Sequence, residues 1–352
     1  MSAQPSTAAS QHGMQVTTFD NPMGIDGFEF VEFASPEPAK LHEYFRMLGF
    51  TPVARHRTRK ITNYRQGDCT FLINEDPDSF AARFAAVHGP SACGFAIRVN
   101  KLAEWARVQA LKNGAESFDA ADELTKAVAA PVIKGIGGCM LYIVDRYDDQ
   151  GTIHDPDWVW LPGVEKMPKG FGLTFIDHLT HNLYKGNMEK WADYYERLFN
   201  FREIRYFDIK GKKTGLTSRA LTSPCGRIRI PINEPSDAKS QIQEYLDAYS
   251  GEGIQHIALA TADIFATVES LRAKGVRFLD TPDSYYDRVD ARVKGHGEDL
   301  ARLRENRILI DGEGLDKDRR EDKLLQIFTE TVIGPIFFEI IQRKGDEGFG
   351  EG

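Results

Sequence analysis

The chain has 352 residues, 41% of them hydrophobic and 27% charged, with a formal net charge of −8 at pH 7. This is a globular composition, and its length exceeds what one core ordinarily organises, so two domains are expected. The acidic balance gives no reason to expect nucleic acid or an anionic membrane surface as partner, and apolar runs such as 331–341 are too short and too charged to span a bilayer.

The first twenty residues, MSAQPSTAASQHGMQVTTFD, carry no Lys or Arg and no apolar block. That pattern argues against a secretory signal or an Arg-rich transit peptide, and a disordered tail over 1–23 on a cytoplasmic protein is expected. Cys69, Cys93, Cys139 and Cys225 are widely spaced with no CxxC pair, and are expected to be reduced and structural.

Residues 24–50, GIDGFEFVEFASPEPAKLHEYFRMLGF, read as an alternating strand, a polar turn and an amphipathic helix, with Leu41, Tyr44, Phe45 and Leu48 at helical spacing. Residues 175–201, FIDHLTHNLYKGNMEKWADYYERLFNF, repeat that order without a gap when Asp26 is set on Asp177. Their helical stripe is Trp191, Tyr194, Tyr195 and Leu198. A second unit, CGFAIRVNKLAEWARVQALKNGAESF (93–118), matches QHIALATADIFATVESLRAKGVRF (255–278). Each half then closes on a strand ending in Arg, GCMLYIVDR (138–146) and PIFFEIIQR (335–343). The internal repeat predicts an α+β fold of two similar domains, 24–165 and 166–352, each built from two strand–helix–strands modules. The charged stretch 285–323 reads as an exposed helix, a strand and a polar loop. His296 within it lies beside two glycines and is not counted as a ligand.

One residue breaks the pattern. Glu339 sits inside PIFFEII, where an ionised carboxylate removed from water without a partner costs several kcal/mol. The repeat supplies a control: the second half carries His178, His256 and Glu339 where the first carries Gly27, Gly94 and Tyr142. A fold that accepts Gly and Tyr at those places does not demand His, His and Glu. Taken singly, either histidine is more often a core or surface residue. As a set, two imidazoles and a carboxylate on neighbouring strands converge on one cation. His181, three residues on from His178 in a period-two strand, points to the opposite face and is assigned no metal role.

The ordered motifs FIDHLTHNL, GIQHIALAT, LLQIFT and PIFFEIIQR, with IPINEP and KSQIQEYL between them, resemble the 4-hydroxyphenylpyruvate dioxygenase family over roughly residues 24–352. That family belongs to the vicinal oxygen chelate superfamily. The resemblance implies βαβββ modules curled into open barrel-like mixed sheets, with one Fe(II) per chain held by His178, His256 and Glu339. It further implies that 4-hydroxyphenylpyruvate and O2 are the substrates. CO2 is released, the ring is hydroxylated at the carbon bearing the side chain, and the side chain migrates to give homogentisate, a step of tyrosine and phenylalanine catabolism. The keto acid supplies electrons itself, and the sequence has no Rossmann fingerprint or phosphate loop.

By the same resemblance, Ser218, Pro231, Asn233, Gln241 and Gln255 line a polar pocket. Gln326, Phe328, Phe337 and Phe349 orient and enclose the ring, and Ser218, Asn233, Gln255 and Gln326 are the polar groups closest to the chemistry. Without the resemblance, Phe328 and Phe337 would read as core. The N-terminal domain is expected to be a metal-free scaffold for subunit association in a homo-oligomer, dimer or tetramer. The family continues past a GFGEGN-like turn into a helix that closes over the site and adds an aromatic residue; the sequence ends at GFGEG, which leaves the metal ligands in place. Three alternatives stand beside this reading. The first is 4-hydroxymandelate synthase, which hydroxylates the benzylic carbon of the same substrate; Pro231, Asn233 and Phe337 favour the dioxygenase. The second is an extradiol or glyoxalase-type metal enzyme, and the third a metal-free binding module of the bleomycin-resistance type. Zinc also accepts two His and one Glu.

Overall fold

The computed structural model describes residues 19–148, 151–154, 156–210, 215–237, 239–315 and 321–350. Most of the expected tail lies outside the described residues. Its last five positions are docked: the Phe19 amide donates to the Pro224 carbonyl at 3.3 Å, and Met23 is buried.

The first half runs β1 (Ile25–Ala34), α1 (Pro38–Met47), β2 (Thr51–His56), β3 (Ile61–Gln66), β4 (Cys69–Asn74), α2 (Phe80–His88), β5 (Ser91–Val99), α3 (Ala103–Lys112), α4 (Ala120–Leu124), β6 (Val132–Lys134), β7 (Met140–Val144) and β8 (Trp158–Trp160). The second runs β9 (Leu173–Asn182), α5 (Met188–Phe199), β10 (Arg202–Lys210), β11 (Gly215–Thr222), β12 (Arg229–Pro235), α6 (Gln241–Tyr249) and β13 (Gly253–Thr261). It continues through α7 (Ile264–Ala273), α8 (Asp283–Tyr286), α9 (Val289–Arg292), α10 (Leu300–Asn306), β14 (Leu309–Leu315), β15 (Glu321–Phe328) and β16 (Phe337–Lys344).

Each half forms one eight-stranded mixed sheet, in the orders β6-β7-β5-β1-β4-β3-β2-β8 and β10-β11-β12-β9-β13-β16-β15-β14. In the second, β9 lies antiparallel to β13, and each is parallel to the last strand of its own module, β12 or β16. Both modules there are complete βαβββ units. In the first half the second module stops at β7, and β8 crosses to the far edge to pair with β2, Ala54 opposite Trp160.

Period-two alternation gives each sheet two buried faces. One face of each joins the helices in a single continuous core, in which Phe33, Phe71 and Phe95 of the first half meet Leu179, Ile257 and Phe338 of the second. The junction also ties backbone to backbone: the Gly67 amide donates to Pro168 and the Asp68 amide to Thr174. Gly67 has φ +55°, and a Cβ there would lie 2.5 Å from the Leu173 carbonyl, so the close approach needs glycine. The remaining face of the first sheet is filled by Phe30, Leu72, Ala96, Tyr142 and Trp158. On the second sheet that face carries His178, His256 and Glu339.

The charged stretch departs from the expected solvated face. It forms three short helices, α8 to α10, whose Tyr286, Val289 and Leu303 are buried in the common core. His296 is itself buried, with Nε2 2.9 Å from Asp290 and Nδ1 accepting from the Glu298 amide. Four-residue helices carry too few turns for a helical stripe to be legible. Residues 316–320, the expected polar loop, lie outside the described residues.

Buried histidines give the fold a pH dependence. His154 packs inside the first sheet, accepting from Asn63 at 2.7 Å, and burial, aided by Arg65 and Lys166, pushes it down to about 3. The unfolded chain protonates such a group near 6.5, so stability is complete above that pH and falls as pH drops from about 6.5 toward about 3. Replacing His154→Gln is expected to flatten the pH dependence of denaturant unfolding in that window, by up to about 1.4 kcal/mol per pH unit. An unchanged slope would mean that the folded state accepts the proton.

Candidate metal centre

Three strands place the three groups in register. Ala258 of β13 stands opposite His178 of β9 on one side and Glu339 of β16 on the other, so the latter two lean over a methyl group. His256 lies two residues earlier on β13, on the same face. Their ligand atoms form a nearly equilateral triangle: His178 Nε2 to His256 Nε2 3.3 Å, His178 Nε2 to Glu339 Oε2 3.1 Å, and His256 Nε2 to Glu339 Oε2 3.3 Å. Ligands about 2.1 Å from one ion are separated by about 3.0 Å at right angles and about 3.4 Å at the tetrahedral angle. The triangle lies between, so one ion fits all three. No other group of His, Cys, Asp or Glu converges in this way among the described residues.

The hydrogen bonds fix which atoms face inward. His178 Nδ1 lies 2.8 Å from the Asp177 carboxylate and His256 Nδ1 lies 3.0 Å from the Gln255 side-chain amide oxygen, so each neutral ring donates outward and turns an Nε2 lone pair toward Glu339. Three buried acceptors facing one another repel unless a cation or proton lies between them. In the metal-free protein a proton serves: burial lowers His178 but Glu339 and Asp177 outweigh it and raise the imidazole, while burial lowers His256. Burial alone would raise Glu339; the two histidines hold it at about 2.

Around this triangle the other anticipated residues are distributed unevenly. Gln326, almost fully buried on β15, donates to Glu339 Oε1 at 3.0 Å and to the Phe349 carbonyl at 3.3 Å when its amide is turned to satisfy both. Phe349 sets its ring edge-on to His178 with centroids 5.1 Å apart. Phe337 stacks on His256 at 4.9 Å and meets Phe328 at 6.0 Å, and both phenylalanines are partly exposed, unlike core residues. Asn233 and Pro231 face the same side of β12, opposite Ser218 and Ala220 of β11, and Asn233 donates to Asn182 at 3.4 Å. Gln241 opens α6, exposed, with no hydrogen bond to the triangle among the described residues.

Five further residues were not singled out from the sequence. Asp177 is fully buried, bound by Arg343 at 2.8 and 2.9 Å with Arg229 at 3.8 Å, and against the opposing effect of burial these cations hold its carboxyl well below the usual range. Asn182 Nδ2 and Thr180 Oγ1, on the His178 face of β9, are buried without a protein partner. The strand-ending arginines of the repeat were the available signal for Arg343. His181 faces away from the triangle, its ring 5.9 Å from Phe95 of the first half.

The equivalence of Gly27 with His178 is corrected by register. Ala96 lies opposite Phe30 and Tyr142, as Ala258 lies opposite His178 and Glu339. Phe30, three residues beyond Gly27, therefore occupies the His178 position, while Gly94 and Tyr142 keep theirs. The Phe30 and Tyr142 rings meet at 5.1 Å and fill the place of an ion.

Comparison with known proteins agrees with this geometry. Residues 19–159 match the family profile described as Hydroxyphenylpyruvate dioxygenase, HPPD, N-terminal, and residues 175–290 match the Glyoxalase/Bleomycin resistance protein/Dioxygenase superfamily. A 4-hydroxyphenylpyruvate dioxygenase of Pseudomonas aeruginosa is 53% identical over 94% of the chain and 92% of its own length. A Vibrio vulnificus protein named Hemolysin VllY is 56% identical over the same shares. Among solved structures, a mutant of 4-hydroxymandelate synthase from Streptomyces coelicolor superposes with a TM-score of 0.77 at 27% identity, covering 93% of this chain and 95% of that one.

Replacing His178, His256 or Glu339 with Ala is expected to abolish stoichiometric metal uptake while leaving the circular dichroism spectrum intact. The wild-type chain should bind one ion, since Phe30, Gly94 and Tyr142 offer no second triangle. Elemental analysis after dialysis decides both points; two ions per chain, or full loading of all three variants, would refute the assignment.

Proposed function

The chain belongs to the 4-hydroxyphenylpyruvate dioxygenase family, an enzyme family acting on 4-hydroxyphenylpyruvate and O2, and we propose that it does so at one Fe(II) held by His178, His256 and Glu339. The observation that carries this reading is the triangle of inward-facing lone pairs, a donor set of two imidazoles and one carboxylate that suits a ferrous ion. The iron, when bound, would supply the activation of dioxygen toward the 2-oxo acid, with homogentisate and CO2 as products.

The chain's own residues hold and enclose the substrate. Phe337, stacked on His256 and crossed by Phe328, gives an aromatic wall for the phenol ring. Gln326 fixes the outer oxygen of Glu339, so that the inner one stays turned toward the imidazoles. Asn233, Ser218, Pro231, Gln255 and Gln241 provide the polar side of the pocket, and Thr180 and Asn182 add buried polar atoms there. Phe349 covers His178 and keeps water from that ligand. The two repeats, 24–165 and 166–352, divide the work: the first is a scaffold and subunit contact, the second the catalytic unit. We place the protein in the cytoplasm as a homo-oligomer. No described helix is long and apolar enough to cross a membrane.

The relatives favour homogentisate as product, since dioxygenases of this family are 49–53% identical to the chain and the hydroxymandelate synthase is 27% identical. Anaerobic reconstitution with Fe(II), followed by oxygen uptake with 4-hydroxyphenylpyruvate and chromatography of the product, is expected to give homogentisate. Hydroxymandelate would transfer the chain to the synthase reaction, and absence of turnover with intact iron loading would refute the reading. Phe337→Ala is expected to weaken substrate binding by about 2- to 10-fold, the worth of one ring contact of about 0.5–1.5 kcal/mol.

A further inference from the structure

Asp177 and Arg343 do more than neutralise each other. The Arg343 guanidinium uses two nitrogens on one carboxylate, Nε to Asp177 Oδ2 at 2.9 Å and Nη2 to Oδ1 at 2.8 Å. The same Oδ1 lies 2.8 Å from His178 Nδ1. The third nitrogen, Nη1, points the other way and donates to the backbone carbonyls of Asp346, at 3.1 Å, and Gly348. One residue later Phe349 lies edge-on to His178, with the guanidinium 5.7 Å from its ring centroid.

The contacts close a ring: His178 to Asp177, Asp177 to Arg343, Arg343 to the 346–348 backbone, and Phe349 back to His178. Arg229, nearly fully buried, braces the ring from β12, lying 3.8 Å from Asp177 and pairing with Glu347 through Nη2.

We propose that Arg343 is a positioning residue of the metal centre, setting the orientation of His178 through Asp177 and the seating of Phe349 through the 346–348 backbone. The proposal rests on the metal reading above. An imidazole on a strand can turn about its outer torsion, which is broad. A carboxylate on Nδ1 removes that freedom, fixes the tautomer with Nε2 unprotonated, and raises the basicity of the ligand atom. That carboxylate is fixed in turn only if something holds both its oxygens, and a planar fork does so. Lysine presents a point charge and cannot grip both oxygens while also reaching two carbonyls on its far side. The metal ligand and its aromatic cover are therefore set by one guanidinium, and a change there moves both.

The test is titration of the metal-free 352-residue protein with Co(II), followed by visible absorption, for wild type, Asp177→Asn and Arg343→Lys. Digestion of the Co(II)-loaded proteins with a carboxypeptidase reads the seating of the C-terminal segment. Asp177→Asn and Arg343→Lys are expected to bind Co(II) roughly 10- to 100-fold more weakly. At saturating metal Arg343→Lys should also show an altered ligand-field spectrum and faster trimming past Phe349. Melting of the metal-free forms separates these effects from misfolding. If Asp177→Asn does not fold, Arg343→Lys decides alone through its spectrum. Wild-type affinity, spectrum and trimming rate in Arg343→Lys would overturn the proposal while leaving the metal reading intact. Failure of the wild-type chain to bind Co(II) would overturn both.

Discussion

Three hydrogen-bond acceptors facing one another at 3.1–3.3 Å on a buried sheet face are the constraint that organises this protein. Each taken alone is costly to bury, and together they repel. A cation resolves the conflict, but only if the three strands hold the atoms apart against its pull when it is present and against their mutual repulsion when it is not. The small Ala258 between His178 and Glu339, the side-chain amide oxygen of Gln255 on His256 and the amide of Gln326 on Glu339 each remove one way for the triangle to relax.

The first half shows what the same scaffold does without that constraint. Phe30 and Tyr142 occupy the two flanking positions and pack ring on ring, and Gly94 leaves the third empty. Beside Tyr142 a buried carboxylate remains: Glu32, accepting from Asn74 at 2.8 Å and from the Tyr142 hydroxyl at 2.7 Å, with burial raising its pKa. Neutral donors suffice for it because it faces no second acceptor. The comparison isolates the feature that calls for a cation in the second half, which is convergence of lone pairs and not the mere presence of a buried acid.

Much of this was legible in the sequence, for physical reasons that also explain the failures. The repeat was visible because both halves must bury strands and helices with the same periods, and Glu339 stood out because an apolar strand rarely carries a charge. The pairing of Gly27 with His178 failed because the gapless match, with Asp26 set on Asp177, keeps the two helices in step but not the two strands. By sheet register β1 and β9 are out of step with that match by three residues, a difference absorbed in the turn before the helix. Arg343 and Asp177 are far apart in sequence, and no period marks two side chains that meet only across the sheet. The inward residues of α8 to α10 were hidden by their charged neighbours, which cover the outside of residues such as Tyr286 and Leu303.

The halves are joined more intimately than a chain of two domains requires, and the reason lies one residue away from each ligand. Leu179 follows His178, Ile257 follows His256 and Phe338 precedes Glu339; strand alternation sends all three to the opposite face, into the core shared with the first half. Phe338 meets Tyr44 at 5.9 Å and Phe71 at 5.8 Å, both from the first half. Close packing makes such contacts stiff, so the backbone that carries each ligand is registered against side chains of the other repeat. The metal-free half thus contributes to the metal site from behind: it fixes the positions from which the two imidazoles and the carboxylate converge, and a cavity opened at Tyr44 or Phe71 would act on Glu339 through Phe338 without touching the pocket.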